Sequence, residues 1–450
     1  MPNAPKIHLF DKTIPTILLL CAFGPLLSTG MGIRMDQVML YGLFPIAFGM
    51  ICVGRESLVA DKYIFIIISI LSVMTLWTIV VTVGGVPDHV FPSSRTTEEE
   101  LAGFENYFHT IALVFVLAVS VKKNIGYVNE QLLVKMGYIL IILMCINAFI
   151  ALSSAMFGVL PFLQYFVSAD LGAGESRFEI TAEGGRFTGI FDVPATAGAA
   201  YSLALLMWAY INRRSQRHSI VNYMLGGVLI VGGTITISKI FIFGGIPLFF
   251  IYWMWPGRAN ARFTIKLLLV LTAIVVSVVV FSELWVGLGV IDDLFISNRN
   301  TTPFELFFHF LKIRYGTTEE AVIGGIFNYI WDTAPVSGLG FSYYGVADSA
   351  YLLYFMEGGM VSLALYLGLI ISLIYIGLEN WYRGHEIGRF LTILGVFILI
   401  AGVGAPIITM ARTDTILWIM VILALGVRNE KNSLRSQKNT SREGSYLCKT

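Results

Sequence analysis

The stretch EGGRFTGIFDVPATAGAAYSLALL, residues Glu183 to Leu206, runs from a polar, glycine-broken segment directly into an apolar one. Similar apolar segments recur along the whole chain of 450 residues, of which 56% are hydrophobic and only 13% are charged. The mean hydropathy of +0.76 lies far from that of a soluble domain. The sequence therefore predicts an all-α polytopic membrane protein.

Twelve apolar segments are candidates for transmembrane helices, since a bilayer core of about 30 Å needs roughly 20 apolar residues per helix. They begin near residues 13, 36, 62, 106, 136, 194, 219, 240, 265, 350, 390 and 413. The first, Ile14 to Gly30, has no small-residue cleavage pattern after its apolar run, so we expect it to remain as a membrane anchor. The predicted fold has about 12 transmembrane helices and large external loops.

The basic residues predict the orientation of these helices. An even number of helices places both termini on one side, and lysine and arginine mark the cytoplasmic side. In that arrangement the cytoplasmic segments contain 21 of the 30 basic residues, whereas 21 of the 29 acidic residues are external. Both termini are therefore predicted to lie inside, and Arg186 is predicted to be external. The basic tail is expected to lie beside anionic lipid.

Helices and loops divide the chain into six predicted parts. They are helices 1 to 5 in 1–157, an external loop in 158–193, helices 6 to 9 in 194–283, a larger external loop in 284–349, helices 10 to 12 in 350–427, and a cytoplasmic basic tail in 428–450. A shorter acidic segment, 85–105, is predicted to be a solvated external loop. Long loops without helical periodicity are often functional, so we expect site residues in the two large loops.

The sequence lacks the motifs of several enzyme classes. Its four cysteines have neither disulfide nor metal-ligand spacing. It contains no phosphate-binding loop, no G-x-G-x-x-G, no H-E-x-x-H and no D-x-D pair. These absences argue against an ATP-driven pump, a nicotinamide enzyme and a metal-dependent nucleotide-sugar transferase, so we expect no cofactor and no metal. The net charge of +1 argues against a nucleic-acid partner.

Two arginines, Arg177 and Arg186, lie in the first large loop beside Glu179 and Glu183. For Arg177 we favour a surface ion-pair network. Arg186 differs, because neighbouring glycines allow close backbone approach and Pro194 suits the first turn of the next helix. A guanidinium beside a helix N-terminus favours an anion, and phosphate is the best match. A surface ion pair is the alternative role of Arg186.

A lysine, Lys239, interrupts two apolar segments that have almost no loop between them, in VGGTITISKIFIFGG, Val231 to Gly245. A charge near bilayer depth is costly, so a functional role is the default hypothesis. Ser238 and nearby threonines supply hydroxyl groups, and we expect Lys239 to face a water-filled cavity. The alternative is a lysine that reaches the outer headgroups from a tight helical turn.

The second large loop combines charged residues with a glycine-rich turn. Arg314 is followed by Glu319 and Glu320, then by PVSGLG, and Asp348 stands where the next helix is predicted to begin. Asp348 has two open interpretations, as the N-cap of that helix and as a general base. Glu357 lies nine residues further along the same apolar span, where a carboxylate is unusual.

Together these motifs resemble the O-antigen polymerase and ligase family, the Wzy-like proteins. The matching elements are RFTG at Arg186, the pair Ser238 and Lys239, GLG at Gly338, and ADSAYL around Asp348. The resemblance covers about residues 180 to 410 and includes the twelve-span layout with both ends inside. The family usually carries arginine where this chain has Lys239. Ligases tend to have histidine where it has Asp348, which favours polymerase over ligase.

The resemblance implies a membrane glycosyltransferase of polysaccharide biosynthesis in the bacterial inner membrane. It would transfer a glycan from an undecaprenyl-pyrophosphate donor to an acceptor glycan on the periplasmic or external side, without nucleotide sugar or metal. Arg186 and Arg314 would hold the pyrophosphate, and Asp348 could accept the proton of the acceptor hydroxyl. Further substrate-binding residues are expected at Arg177, Ser238, Lys239 and Glu357. A flippase for the lipid-linked glycan and a chain-length regulator are the expected partners.

Other functions stay open at the level of sequence. An O-antigen ligase-type glycan transferase is the nearer alternative. A transporter of lipid-linked sugars would show internal repeats and ionisable residues at the bilayer midplane, but we find no repeat and only Lys239 and Glu357 as deep charges. A non-catalytic scaffold would leave the external arginines without a role. We therefore predict a polymerase that makes O-antigen, capsule or exopolysaccharide.

Overall fold

The protein is mostly helical. The structure, a computed structural model, describes residues 9–28, 33–52, 62–84, 97–121, 126–166, 177–214, 220–255, 338, 340–342, 349–410 and 412–427. Helices make up 85% of these residues. The helical fold class predicted from the sequence is therefore confirmed.

The described residues form α-helices that we number in chain order. They are α1 Leu9–Ala22, α2 Met35–Cys52, α3 Lys62–Gly84, α4 Thr97–Ser120, α5 Gly126–Phe157, α6 Arg177–Glu183, α7 Pro194–Arg214, α8 Ile220–Ile235, α9 Ile246–Met254, α10 Ala350–Tyr382, α11 Glu386–Ala401 and α12 Thr413–Val427. A short antiparallel pair, β1 Leu26–Ser28 and β2 Ile33–Arg34, lies between α1 and α2. The 3-10 helices Pro161–Phe166 and Gly340–Ser342 and the π-helix Ile240–Gly245 complete the regular structure of these ranges.

In the part of the chain that the structure describes, six helices are long and apolar enough to cross a membrane, by length and composition: most or all of α2, α3, α4, α5, α7 and α10. Shorter apolar helices occur in α1, α8, α12 and the π-helix joined to α9. A helix lies at or next to every predicted starting position except residue 265, which lies outside the described residues. The seven-residue α6 is not among the predicted spans.

Two predicted loops contain helix. The prediction of a loop across 85–105 is wrong from Thr97 onward, where α4 begins, and the earlier part lies outside the described residues. Three consecutive glutamates fall in the first turn of α4, where acidic side chains are favoured by the helix dipole. The predicted loop 158–193 contains a 3-10 helix and α6. A charged first turn has no apolar periodicity, so hydropathy alone does not show that the helix begins there.

Two helices, α7 and α12, lie at the centre of the bundle. Every side chain from Thr196 to Asn212 in α7, and from Thr413 to Gly426 in α12, is buried. A helix that is apolar all round is one that is buried on all sides. The surrounding helices instead expose large apolar side chains such as Val80, Phe149 and Ile371. In a membrane these exposed side chains would face lipid.

At each end of α7, an arginine side chain makes polar contacts with neighbouring segments. Near the N-terminus of α7, the side chain of Arg412 donates to backbone carbonyls of segments that the sequence predicts as external, including the carbonyl of Ile190. At its C-terminus, Arg213 donates to the carbonyl of Tyr252 at 2.6 Å and lies 3.5 Å from Glu386, in segments predicted as cytoplasmic. We call these two regions the Arg412 end and the Arg213 end.

Candidate functional site

The loop that carries Arg186 starts at the end of α6. The backbone N–H of Gly185 donates to the carbonyl of Ala182 at 2.9 Å. The backbone N–H of Arg186 donates to the carbonyl of Thr181 at 2.9 Å, which completes a Schellman motif. Gly185 has a φ of +68°, in the left-handed region that favours glycine. The backbone of Arg186 is therefore fixed at the C-terminus of α6, a helix that the sequence analysis does not predict. Arg186 also precedes the N-terminus of α7, as the sequence analysis expects.

The middle of this loop is held by Asn147 of α5. Its side-chain N–H donates to the carbonyl of Thr188 at 3.1 Å, and its side-chain oxygen accepts from the N–H of Ile190 at 2.8 Å. Gly189 between them has a φ of +68°, and a Cβ there would lie 2.1 Å from Oδ1 of Asn147. Any residue larger than glycine at the last position of the Arg-Phe-Thr-Gly motif would therefore clash with Asn147.

A tight turn connects α8 to the π-helix and carries Ser238 and Lys239. Ile237 in this turn has a φ of +47°, a strained conformation for a β-branched residue. Ser238 is buried, and a Cβ on Gly198 of α7 would lie 2.0 Å from its Oγ. Lys239 is half-buried and directly precedes the π-helix, a feature frequent at functional sites. The close approach to Gly198 places this turn beside the first turns of α7.

The Arg186 loop and the turn that carries Ser238 and Lys239 are neighbours. The backbone N–H of Phe187 donates to the carbonyl of Ile235, the last residue of α8, at 3.3 Å. A small cavity in the loop region is lined in part by Ser154, Thr181, Arg186 and Thr188. Two motifs that are far apart in the sequence therefore meet at the Arg412 end.

A turn from Gly402 to Gly404 lies between the turn that carries Ser238 and Lys239 and the start of α10. The N–H of Ala350 donates to the carbonyl of Gly402 at 2.8 Å, and the hydroxyl of Ser349 donates to the same carbonyl at 3.4 Å. A Cβ on Gly404 would lie 3.4 Å from Cγ1 of Ile240, the first residue of the π-helix. The start of α10 and the end of the serine-lysine turn thus pack against one turn.

Helix α10 is interrupted beside Glu357. Gly358 (φ −130°, ψ 18°) and Gly359 (φ 62°, ψ −156°) lie outside the helical region. Glu357 is 7% exposed and accepts a hydrogen bond from the hydroxyl of Tyr107 on α4. The indole N–H of Trp77 donates to the carbonyl of Gly358 at 3.0 Å, which satisfies a group that the break takes out of the helix. These contacts place Glu357 at the end of a half-helix, facing α3 and α4.

The Gly-Leu-Gly motif packs on this break. Gly338 has a φ of +79°, and a Cβ there would lie 2.4 Å from the backbone nitrogen of Gly359. Gly340 has a φ of +66°, and a Cβ there would lie 2.5 Å from Oγ1 of Thr82 on α3. That Oγ1 accepts a hydrogen bond from the N–H of Phe341 at 2.8 Å. Both glycines therefore allow the motif to approach α3 and α10 closely.

Several predicted site residues lie outside the described residues. They are Arg314, Asp348, Glu319 and Glu320. Arg177 is the first residue of α6, but its side chain is outside the described set. Ser349, rather than Asp348, occupies the N-cap position of α10, with φ −99° and ψ 125°. The interpretation of Asp348 as the N-cap is therefore wrong, because the helix begins one residue later than that interpretation requires.

A buried ionic cluster connects α2, α4 and α12 and is absent from the sequence prediction. Nε of Arg34 lies 3.2 Å from Oδ1 of Asp36. Nε2 of His109 lies 3.4 Å from Oδ2 of Asp414 and 3.9 Å from Oδ2 of Asp36. The hydroxyl of Thr415 donates to Asp36 at 3.3 Å. The only signal in the sequence is that each aspartate stands alone at the start of an apolar segment.

The pKa values of the two arginines near this cluster, Arg34 and Arg412, shift in opposite directions. Burial alone would lower the pKa of Arg34, but nearby carboxylates, Asp36 foremost, raise it above its ordinary value. Burial lowers the pKa of Arg412, against the opposing effect of Asp192 and Asp36. Both guanidinium groups stay charged at neutral pH, because an arginine pKa lies far above it. Buried charges of this kind need close partners, which the aspartates and backbone carbonyls supply.

Comparisons with known proteins identify no family. A scan of the sequence against protein-family models finds no match, and a search of curated proteins finds none that is similar. Within the described ranges, no group of three or more His, Cys, Asp and Glu residues could hold a metal ion. Function is therefore inferred from the residues and their geometry.

Proposed function

We propose that the chain is a polysaccharide polymerase that joins undecaprenyl-pyrophosphate-linked oligosaccharide repeat units at the Arg412 end. The observation that carries this proposal is the meeting of distant segments. The Arg186 loop bonds to the last residue of α8, beside Ser238 and Lys239, and the π-helix and the start of α10 pack against one turn. In the proposal this end lies on the outer face of the inner membrane, both termini are cytoplasmic, and the chain crosses the membrane about twelve times.

Cleavage of the bond between the donor sugar and its pyrophosphate requires positive charge beside the pyrophosphate. As the bond between the sugar and the pyrophosphate breaks, negative charge develops on the leaving group, and fixed cations stabilise it without rearrangement. Arg186 and Lys239 lie on adjacent segments, and Arg314 is proposed as the third cation. The guanidinium of Arg186 suits bidentate phosphate binding, whereas Lys239 acts as a point charge.

The acceptor supplies the other half of the reaction. Its hydroxyl oxygen forms a bond to the anomeric carbon as the bond to the pyrophosphate breaks, and undecaprenyl pyrophosphate leaves as an anion. The hydroxyl proton passes to a carboxylate, for which Asp348 is the proposed acceptor. Its neighbour Ser349 bonds to Gly402, on the turn that also packs against Ile240.

A transporter of lipid-linked sugars is the second candidate, and one observation favours it. Transporters often contain interrupted helices beside buried ionisable residues. The break at Gly358 and Gly359 beside the buried Glu357 has that form. A transporter would move the glycan across the membrane without forming a glycosidic bond, so the two candidates differ in their products.

Polymerisation by the purified protein tests the choice between these functions. We expect protein in nanodiscs, supplied only with its lipid-pyrophosphate-linked repeat units and a metal chelator, to produce longer lipid-linked glycans. One undecaprenyl pyrophosphate should be released per new linkage, as counted by mass spectrometry, because each transfer breaks one such bond. The Arg186→Ala variant, purified in parallel, is the matched control. Movement of the substrate across vesicle membranes without any new linkage would instead identify a transporter.

Single cysteines test the proposed orientation. In a variant without the four native cysteines, a cysteine at Glu183 should react with a membrane-impermeant thiol reagent once the outer membrane is permeabilised. A cysteine at Arg383, between α10 and α11, should react only after the inner membrane is disrupted. Both native side chains are exposed, so burial would not explain a difference. The opposite labelling pattern would place the proposed site on the cytoplasmic side and contradict the proposal.

A further inference from the structure

We infer that Arg412 is a positioning residue that holds the Arg186 loop in the conformation that binds the donor pyrophosphate. This inference rests on the proposed function, because it assigns a purpose to the position of Arg186. Arg412 lies between α11 and α12 and is 5% exposed. It acts on the loop through the backbone, at a residue just after the Arg-Phe-Thr-Gly motif.

The guanidinium of Arg412 binds carbonyl groups from three separate segments. It donates to the carbonyl of Ile190 in the Arg186 loop, to that of Phe166 at 2.9 Å and to that of Gly24 at 3.4 Å. Its central carbon also lies 5.6 Å from the ring centroid of Phe166. The planar fork of arginine carries five N–H donors, so one side chain can join three backbone segments. A lysine is a point charge and cannot reproduce this geometry.

The backbone of Arg412 is itself strained. Its φ of +65° lies in the left-handed region, which residues other than glycine seldom adopt. Such conformations persist only where surrounding contacts over-determine them, and they cluster at functional sites. The carbonyl of Arg412 accepts a hydrogen bond from the N–H of Ile416 at 3.2 Å, in the first turns of the central helix α12. The side chain therefore reaches the loop from a fixed part of the bundle.

The loop has two anchors at Ile190. Its N–H donates to Asn147 of α5 at 2.8 Å, and its carbonyl accepts from Arg412. Ile190 follows Gly189, whose φ of +68° marks the point at which the chain turns. Loss of Arg412 would release one anchor and shift Arg186 without removing its charge.

A spin label at Glu183 measures this anchoring without any assay of activity. Glu183 is exposed and lies three residues before Arg186. We expect a more mobile label in Arg412→Ala than in the parent protein, and an intermediate one in Arg412→Lys. A label at Tyr382, which is exposed at the Arg213 end, should not change. An unchanged spectrum at Glu183 in the alanine variant would overturn the inference, whatever the activity of the protein.

A double-mutant cycle tests whether Arg412 acts through Arg186. We expect Arg412→Ala to raise KM for the donor and to lower kcat/KM by about 10²-fold, the cost of misplacing a binding group by about 1 Å. In the Arg186→Ala background the same substitution should have little further effect, because the group that it positions is gone. Equal losses in both backgrounds would refute the inference. Parent activity in Arg186→Ala alone would refute the proposed function, and the spin label would still decide the anchoring.

Two further variants separate positioning from folding. Arg412→Gly removes the guanidinium but adopts a positive φ without strain, so it should accumulate even where the alanine variant does not. We expect it to show the same mobile label and the same rise in KM. Arg389→Ala is the matched control at the Arg213 end, where it loses a buried arginine that donates to the carbonyl of Trp255 at 3.1 Å. It should leave the label at Glu183 unchanged, and an equally mobile label there would overturn the inference, because the effect would then be a general loosening of the bundle.

Discussion

Replacing Arg186 by alanine is expected to lower the rate of polymer formation by about 10²–10³-fold, the usual loss when one preorganised donor to developing negative charge is removed. The protein should still accumulate in the membrane. The loop is held by backbone bonds of Gly185 and Arg186 to α6 and by Asn147, none of which needs the guanidinium. The measurement is glycan length and released undecaprenyl pyrophosphate per molecule of purified protein.

Two variants separate charge from binding geometry. Arg186→Lys keeps the charge but loses bidentate phosphate binding, so it should recover only a small part of the rate. Arg177→Ala removes the same charge from the first residue of α6, in the same segment, where we favour a surface ion pair. As a surface ion pair it should keep most of the parent rate, whereas a loss as large as that of Arg186→Ala would place Arg177 among the substrate-binding residues instead. Polymer of normal amount and length from Arg186→Ala would rule out the pyrophosphate assignment.

The helices could be predicted where apolar burial alone, in protein or in lipid, decides the sequence. α7 needs apolar and small residues on every side, and Pro194 is its first residue, as the fixed φ and missing N–H of proline favour. The start of α4 at Thr97 could not be predicted in this way, because its first turn is stabilised by charge rather than by apolar burial. The break after Glu357 has a visible signal, the adjacent pair Gly358 and Gly359.

The sequence indicates candidate site residues, but not the side chains that hold them in place. Glycines around Arg186 indicate a loop that approaches other backbone closely, and the contact of Gly189 with Asn147 has that form. Asn147 itself gives no signal, because an isolated amide in the middle of the apolar run of α5 fits no motif. The approach of His109 to Asp36 is equally hidden, since it depends on how α2 and α4 pack. Such partners are set by tertiary contacts that one sequence does not contain.

Replacing Asp348 by asparagine is expected to lower the polymerisation rate by about 10²–10⁴-fold, the usual contribution of general base catalysis. Asparagine keeps the size and the hydrogen-bonding oxygen of the side chain but cannot accept the proton of the acceptor hydroxyl. The N-cap of α10 is Ser349, so a capping role of Asp348 would not explain such a loss. Amount and thermal stability of the purified variant should stay near those of the parent protein. The rate is measured in nanodiscs with the same lipid-linked substrate.

Two matched variants decide whether the carboxylate at 348 is the group that matters. Ser349→Ala removes the actual N-cap side chain, which makes no side-chain capping bond and only a 3.4 Å bond to Gly402. It should keep near-parent activity, with a stability loss no greater than about 0.5–2 kcal/mol. Glu357→Gln changes the buried carboxylate that accepts from Tyr107. A near-parent rate in Asp348→Asn together with a large loss in Glu357→Gln would transfer the role of proton acceptor to Glu357, because only one of the two carboxylates would then be needed for the chemical step.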